Sequence, residues 1–418
     1  MHLTLQRGFL AVCAFLCFSA VPALSQTPPA APPPVSEFAD MVTKGVLSLD
    51  MRYRYEYVDE DGFDDEAKAS TLRSKAAFQS ARYEGFSFLG ELSNVSYIGA
   101  DDFNSTENGK KQYPVVPDPD GTELNQAWAR YDWQELSGIY GRQRINYDDQ
   151  RFIGDVAWRQ NEQTFDGFRA GWISTTGLSL DYAYIYEINR IFGPDDSNAQ
   201  PSQWEGNNNF VHLEYKFLET QSIVGFAYLL DIDDRTRWSP NLSVNNSTDS
   251  YGVRYSGTFG AFAARASYAY QSEAGDSYLH YDADYYMAEG EANFFGVKGT
   301  LGYEVLGSDN GVGFKTPLAT LHKFQGWADK FLVTPADGIE DLYIGISGNA
   351  GPVNLAAVWH DFQAEQGSGD FGDELDLQAT WPINKMFTLQ LKYANFNGDD
   401  SVTYQDTQKA WLTVQFKL

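Results

Sequence analysis

Apolar and polar residues alternate along most of this chain with the period of two that a β-strand produces. The first such segment is the clearest: the odd positions from Leu47 to Tyr57 are all Leu, Met or Tyr, while the even positions from Ser48 to Glu56 are polar or charged. A strand of this kind has one oily face and one ionic face. The pattern therefore predicts β-strands, because an amphipathic helix would repeat every 3.6 residues instead.

The same alternation recurs along the chain and predicts eighteen strands. They span residues 45–58, 70–82, 86–98, 123–133, 136–146, 163–174, 178–190, 207–217, 221–232, 249–259, 261–271, 281–291, 296–306, 340–348, 353–363, 372–381, 387–396 and 409–418. The connections between them alternate between long and short. An even strand count with this alternation is typical of an outer-membrane barrel. We predict an all-β fold, a transmembrane antiparallel up-and-down β-barrel with short periplasmic turns and long extracellular loops.

The N-terminal end of the chain resembles an export signal. Arg7 precedes an apolar stretch, Gly8 to Ala20, that is too short to span a membrane, and Ala23-Leu24-Ser25 supplies small residues for cleavage. An uncleaved anchor is the alternative. The predicted domains are a signal peptide over residues 1–25, a proline-rich periplasmic linker over 26–44 and a transmembrane β-barrel over 45–418.

Composition narrows the function classes. The chain has 30 Lys+Arg against 57 Asp+Glu, a net charge of −27, which disfavours nucleic-acid binding. Both cysteines, Cys13 and Cys17, fall within the predicted signal, so the mature chain would have no disulfide or thiol chemistry. Acidic residues concentrate in the predicted loops. We interpret them as a solvated face, and divalent cations bridging them to lipopolysaccharide are the alternative.

Basic residues cluster on the predicted inward faces of the early strands. They are Arg52, Arg54, Arg73, Lys75, Arg130, Arg142 and Arg144. Neighbouring strands lie about 5 Å apart, so these side chains would form one basic wall. Acidic inward positions also occur, at Asp50, Glu56, Glu91, Asp132, Asp181, Glu187, Glu374 and Asp376. We expect the ionic faces to border a water-filled lumen with a transverse field. Ion pairing that stiffens the barrel is the alternative.

Two long segments are candidates to fold into the lumen. Residues 140–162 are polar yet rich in aromatics, and the longest predicted loop, Phe314 to Ile339, is too apolar for a loop surrounded by water. We predict that the longer loop packs against the barrel interior or its rim, with an extracellular lid as the alternative.

The sequence shows no arrangement of residues typical of a catalytic site. The histidines of the mature chain are His212, His280, His322 and His360. His360 and Asp361 are adjacent, which places them on opposite faces of a strand and makes them a poor relay. No zinc-type spacing and no phosphate-binding glycine loop occurs in the sequence. We predict that the protein is not an enzyme and has no cofactor and no metal site.

Five stretches of the chain resemble proteins with an alginate-export domain. They are Pro117 to Ala127, Gly141 to Arg144, Gln150 to Gly154, Trp158 to Asp166 and Thr316 to Pro335. The resemblance spans nearly the whole mature chain. It implies an eighteen-stranded barrel, favours a monomer, and implies an arginine-rich constriction that passes an anionic uronate polymer. The Gly141 to Arg144 motif carries over to this chain, and the resemblance suggests Arg73, Arg130, Arg151 and Arg159 as its companions.

Together these patterns predict a channel in the outer membrane of a Gram-negative bacterium. It would pass polar, anionic solutes, such as uronate-type oligo- or polysaccharide, through a basic-lined constriction. The candidate pore residues are Arg52, Arg54, Arg73, Lys75, Arg130, Arg142, Arg144, Arg151, Arg159, Arg254 and Arg265. A non-selective or small-acid uptake porin and a non-conducting structural or adhesive barrel are the alternatives. The expected partners are outer-membrane lipid, lipopolysaccharide and the solute; an export role would add a periplasmic partner.

Overall fold

The structure, a computed structural model, describes residues 34–195, 200–233, 243–399 and 404–418. The predicted signal peptide and residues 26–33 of the predicted linker lie outside these ranges. In the rest of the linker, Pro34–Val35 pairs in parallel with Arg82–Tyr83, and one helical turn, Asp40–Thr43, leads to the first long strand. No helix among the described residues is both long and apolar enough to cross a bilayer.

Eighteen long strands form one closed antiparallel barrel. In chain order they are β1 (Val46–Glu60), β2 (Ala67–Gln79), β3 (Phe86–Asp102), β4 (Gly121–Trp133), β5 (Leu136–Gln143), β6 (Thr164–Ile173), β7 (Leu178–Asn189), β8 (Gln203–Leu218), β9 (Gln221–Leu230), β10 (Thr248–Phe259), β11 (Phe262–Glu273), β12 (Asp282–Phe294), β13 (Val297–Leu306), β14 (Ile339–Ala350), β15 (Val353–Gln363), β16 (Asp370–Pro382), β17 (Phe387–Asn397) and β18 (Thr407–Lys417). Each pairs with its neighbours in sequence, and β1 pairs with β18, Met51 opposite Phe416. The predicted fold class and all eighteen predicted strands are confirmed.

The connections confirm the predicted alternation. At the end of the barrel where β1 begins and β18 ends, they are two to six residues long, whereas at the other end they are six to 32 residues long. In the turn between β12 and β13, Phe295 and Gly296 both have positive φ, 54° and 81°. This backbone matches the twist of the flanking strands and permits a two-residue turn. Short turns mark the periplasmic end and long loops the extracellular end.

The oily stripes face outward, as predicted. On β13 and β14, the outward positions Leu301, Ile344 and Ile346 are all more than half exposed. On β1, the alternate positions Arg52 and Glu56 are buried inside. Closure of the ring leaves no unpaired strand edge, which a bilayer requires because its core offers no water to backbone groups.

The barrel interior is not hollow throughout. Two extracellular loops are important here: L3 (residues 144–163) and L7 (residues 307–338). L3 and L7 fold inward and meet through a backbone bridge between Ile153 and Leu318. Their aromatic side chains join a buried apolar cluster that includes inner-wall residues of β6 to β9 and β11 to β18. Within the predicted lumen these two loops fill one part, the packed sector, and bury apolar surface there. Both candidate segments fold into the lumen, and the predicted packing of the longer one against the barrel interior is confirmed.

Candidate functional site: the inner loops and the open lumen

The arginines of β1 hold the backbone of L3. Arg52 Nε donates to Oε1 of Gln160 at 2.9 Å, and the same guanidinium donates to the carbonyl oxygens of Ala157 and Arg159. Arg54 donates to the carbonyl oxygen of Trp158 at 2.8 Å. Both arginines are almost completely buried. The structure therefore places them beneath L3, where they satisfy loop carbonyls that would otherwise lack donors.

Glu162 joins L3 to the neighbouring strands. Its carboxylate lies 2.7 Å from Lys75 Nζ, 3.4 Å from Arg73 and 3.5 Å from Arg144, and it accepts a hydrogen bond from Asn125 at 2.8 Å. Burial disfavours its ionised form, but Lys75, Arg144 and Arg73 outweigh that effect and hold the pKa of Glu162 well below its usual range. The predicted site residues Arg73 and Lys75 are therefore brought together with Arg144 around one carboxylate.

Asp329 plays the corresponding part for L7. It accepts from Arg159 at 2.7 Å, from His322 Nδ1 at 2.8 Å and from Lys409 of β18 at 3.3 Å. Burial again opposes ionisation, and the hydrogen bond from His322 with the charges of Lys409 and Arg159 holds the pKa of Asp329 well below its usual range. Arg159 also contacts Glu56 at 3.2 Å. It thus links L3, L7 and β1.

Arg151, the second predicted companion from L3, also binds within the packed sector. Its Nε donates to Glu304 of β13 at 2.8 Å, and its Nη2 donates to Gln325 of L7 at 3.1 Å. The side chain is 1% exposed. Arg151 and Arg159 therefore hold the two inner loops to each other and to the wall.

An aromatic cluster that the sequence did not reveal lies at the centre of this sector. Trp158 of L3 stacks on His322 of L7, with ring centroids 4.0 Å apart. Arg54 lies 4.0 Å and Lys392 Nζ of β17 lies 4.1 Å from the Trp158 ring centroid. Lys392 also lies 3.6 Å from the centroid of Trp327. Cation–π contacts of this kind strengthen when water is excluded, as it is here.

Of the remaining predicted cations, Arg130 and Arg265 face the lumen that the loops leave open, whereas Arg254 is buried. Arg130 pairs with Asp132 on β4, and Arg265 of β11 pairs with Glu289 and Glu291 of β12. Arg254 of β10 pairs at 2.6 Å with Asp149, near the tip of L3.

Arg169, an inward residue of β6 that the sequence reasoning missed, pairs with Asp181 of β7 at 2.9 Å. Its neighbour Phe168 is exposed on the outer face, so the alternation would have placed Arg169 inside.

Arg142 lies on the outer face of the barrel, not in the lumen as predicted. It is paired in register with Ala127 of β4 and Asp166 of β6, and Tyr140, two residues before it, is 62% exposed on the outer surface. Its guanidinium binds Asp166 at 2.8 Å and Glu187 at 3.2 Å. Since β5 ends at Gln143, the next arginine of the motif leaves the strand and turns inward, which separates it from Arg142.

Acid should not release Glu162 and Asp329 from their basic partners within the usual titration range of carboxyl groups. A carboxyl group whose pKa is lower in the folded state than in the unfolded state stabilises the folded state. This stabilisation is fully present above the unfolded-state pKa and is lost as pH falls through the lower, folded-state pKa. For Glu162 and Asp329 that value lies well below the usual range. We expect single-channel conductance to stay at its neutral-pH level as pH falls to about 4.5, near the ordinary Glu value. A conductance increase between pH 6 and about 5 would contradict this linkage.

The described ranges hold no group of three or more His, Cys, Asp or Glu side chains arranged to bind a metal ion. His360 contacts Asp341 of β14 at 2.9 Å, across the strand pair.

Comparison with solved structures supports the fold. Acinetobacter baumannii OccAB2 superposes with a TM-score of 0.70 at 13% identity, covering 91% of this chain and 99% of that one. Pseudomonas aeruginosa OccK9 (OpdG) gives 0.68 at 13% identity, covering 90% and 99%. Pseudomonas aeruginosa OpdK with vanillate gives 0.66 at 12% identity, covering 89% and 98%. At these identities the likeness concerns the barrel alone. No curated protein matches the sequence.

The family comparison rests on sequence. The model of the alginate-export family matches residues 46–305, from the start of β1 to the end of β13, which is more than half of the chain. The match includes L3 and both arginines of the Gly141 to Arg144 motif. The chain therefore belongs to the alginate-export family and is an outer-membrane β-barrel of Gram-negative porin type.

Proposed function

We propose that this barrel passes small anionic solutes, uronate-type saccharides among them, through the lumen that L3 and L7 leave open. The relative exposure of paired charges carries the proposal. The arginine is more exposed than its carboxylate in the pairs Arg130–Asp132, at 36% against 22%, and Arg265–Glu291, at 20% against 8%. Arg144, at 18%, likewise covers Glu162, at 1%. Water and solute in this lumen meet guanidinium groups first, which attracts anions.

Two pairs at the tip of L3 have the opposite order. Asp149 is more exposed than Arg254, at 26% against 7%, and Asp148 is more exposed than His212. An acidic edge therefore faces the basic strand wall. Such a lumen orders a polar anion across the pore instead of attracting every negative ion equally. That favours solutes with hydroxyl groups as well as a carboxylate.

Conductance and selectivity separate this proposal from its alternatives. A plugged structural or adhesive barrel would carry no current in a planar bilayer. In a KCl gradient, a non-selective porin would show a reversal potential near zero. An anion-selective channel would show a reversal potential shifted towards the chloride equilibrium potential. Absence of chloride preference in the wild-type channel would remove the proposal.

Arg144 and Arg142 provide a matched test, because one faces the lumen and the other faces outward. We expect Arg144→Ala to lower the chloride-to-potassium permeability ratio by roughly fivefold, since one charge about 4 Å from an ion in water contributes about 1 kcal/mol. Arg142→Ala removes the same charge outside the lumen and should leave the ratio unchanged. Reversal potentials in a KCl gradient measure both. Equal shifts in the two variants would count against a lumen effect.

A further inference from the structure

The inner wall near the periplasmic end carries a groove between two arginine–aspartate pairs. Adjacent cross-strand rows define it, Arg130–Ile139–Arg169 in one and Asp132–Ser137–Gly171–Asp181 in the next. Since adjacent strands are about 5 Å apart, Arg130 and Arg169 stand roughly 10 Å apart across β5. The groove belongs to an open cavity of about 390 Å³, a size within the range of about 300–1,000 Å³ for small-molecule sites.

The two arginines keep hydrogen-bond donors available to a ligand. Asp132 accepts from Nε and Nη2 of Arg130, at 2.9 and 2.6 Å, and Asp181 accepts from Nε of Arg169 at 2.9 Å. Each carboxylate thus holds one edge of a five-donor fork. The side chains are 36% and 25% exposed, in contrast to the covered arginines of β1. The guanidinium orientations are fixed before any ligand arrives.

The floor of the groove is kept low by small residues. The φ angle of Gly171 is not positive, so the backbone conformation at this position does not require glycine. A Cβ at this position would lie 2.8 Å from Oγ of Ser137 and 3.8 Å from Oδ2 of Asp181. Any larger side chain would occupy the space between the two ion pairs. Ile139 provides the apolar part of this surface.

We propose that this groove is a binding site for a small polyhydroxylated carboxylate; the proposal rests on the anion-channel function above. The ligand carboxylate takes the remaining donors of Arg130 and Arg169. Its hydroxyl groups donate to Asp132 and Asp181, while its C–H face lies on Ile139. Asp132 and Asp181 already accept from Arg130 and Arg169, and Asp181 also accepts from the hydroxyl of Tyr147. An aromatic acid would bind the arginines through its carboxylate but would offer the two aspartates no additional hydroxyl donor, so it would form fewer hydrogen bonds in the groove than a hydroxylated acid. The site therefore selects hydroxylated acids over aromatic ones.

Single-channel recording with glucuronate added on the periplasmic side tests the site. We expect resolved blocks by glucuronate, with longer residence times than those of benzoate or glucose. Arg169→Gln should shorten the glucuronate residence time at least about tenfold, because a charge-assisted hydrogen bond to the carboxylate is lost. Gly171→Val fills the floor without changing charge and should abolish the blocks. Blocks that persist unchanged in both variants would overturn the proposal, as would equal residence of benzoate.

Two control variants lie on the opposite wall. Arg265→Gln removes a lumen cation of similar exposure and should lower chloride preference while leaving glucuronate residence intact. Gly345→Val adds an inward side chain on β14, where a Cβ would meet only ordinary contacts of 3.5 Å or more. It should leave the blocks intact.

The proposed function and the groove fail in different experiments. Chloride preference is measured in KCl without any sugar, so its absence removes the function alone. Should the barrel carry no current, saturation-transfer NMR on the detergent-solubilised protein with glucuronate measures the groove directly. A glucuronate signal that Gly171→Val removes and Gly345→Val retains supports the site, and no signal in the wild type overturns it.

Discussion

Replacing Glu162 with alanine is expected to release L3 from the barrel wall and to raise single-channel conductance severalfold. The carboxylate holds Lys75, Arg73 and Arg144 around itself and is 1% exposed. Its removal leaves the buried cations of β2 without their loop partner, and removing one partner of a buried ion pair costs about 3–5 kcal/mol. Since L3 fills part of the lumen, its release should widen the path for ions. Planar-bilayer recording gives the conductance, and limited proteolysis reports exposure of L3.

Glu289→Ala is the matched control for this variant. Glu289 is also an inward carboxylate paired with an arginine, Arg265, but it lies on β12 and does not contact L3. It should change ion selectivity more than conductance. If Glu162→Ala kept wild-type conductance and a protease-resistant L3, the network around Glu162 would not be what holds the loop.

The barrel itself was predictable because each strand follows from local residues. Alternation from Leu47 to Tyr57 is enough to place β1, since a membrane strand must show one face to acyl chains and the other to the interior. A shift of one residue would exchange the two faces, so register is strongly specified. Every strand must alternate in this way, because one face contacts lipid and the backbone pairs with both neighbouring strands. All eighteen strands predicted from this alternation are present in the structure.

Arg142 is the one predicted pore residue that faces outward among those on the strands that the structure describes. Because Arg142 and Arg144 are two residues apart, strand alternation predicts that they share a face. Tyr140 belongs to the exposed outer surface and fixes the parity of β5, so Arg142 must face outward with it. The end of β5 at Gln143 frees Arg144 from that parity. The sequence contained the parity signal in Tyr140 but gave no sign of where the strand ends.

The loop network could not be predicted at all from spacing. Glu162 meets Lys75 across 87 positions, and Arg159 meets Asp329 across 170. These pairs form only because L3 and L7 fold into the barrel. The alternation of apolar and polar residues predicts strands but does not predict how the loops fold. The high apolar content of L7 indicated burial, yet it could not indicate that Trp158, His322 and Lys392 would be the groups in contact.

Asp329→Asn is expected to detach L7 from L3, to lower the thermal stability of the barrel and to increase conductance. Asparagine keeps the shape of the side chain but removes the charge that Arg159 and Lys409 share, leaving both cations buried without it. The expected loss is at least about 3 kcal/mol. Thermal unfolding in detergent, followed by circular dichroism, measures the stability, and planar-bilayer recording measures the conductance.

Asp337→Asn makes the same charge change at an exposed position of L7 and should leave both quantities unchanged. Because Arg159 ties Asp329 to L3, the effects of Glu162→Ala and Asp329→Asn should not add: a freed L3 no longer offers L7 its partner. A double variant whose conductance matches Glu162→Ala alone would show that L7 depends on L3 for its position. Additive increases would show instead that β18, through Lys409, holds L7 independently, since only uncoupled sites contribute separately.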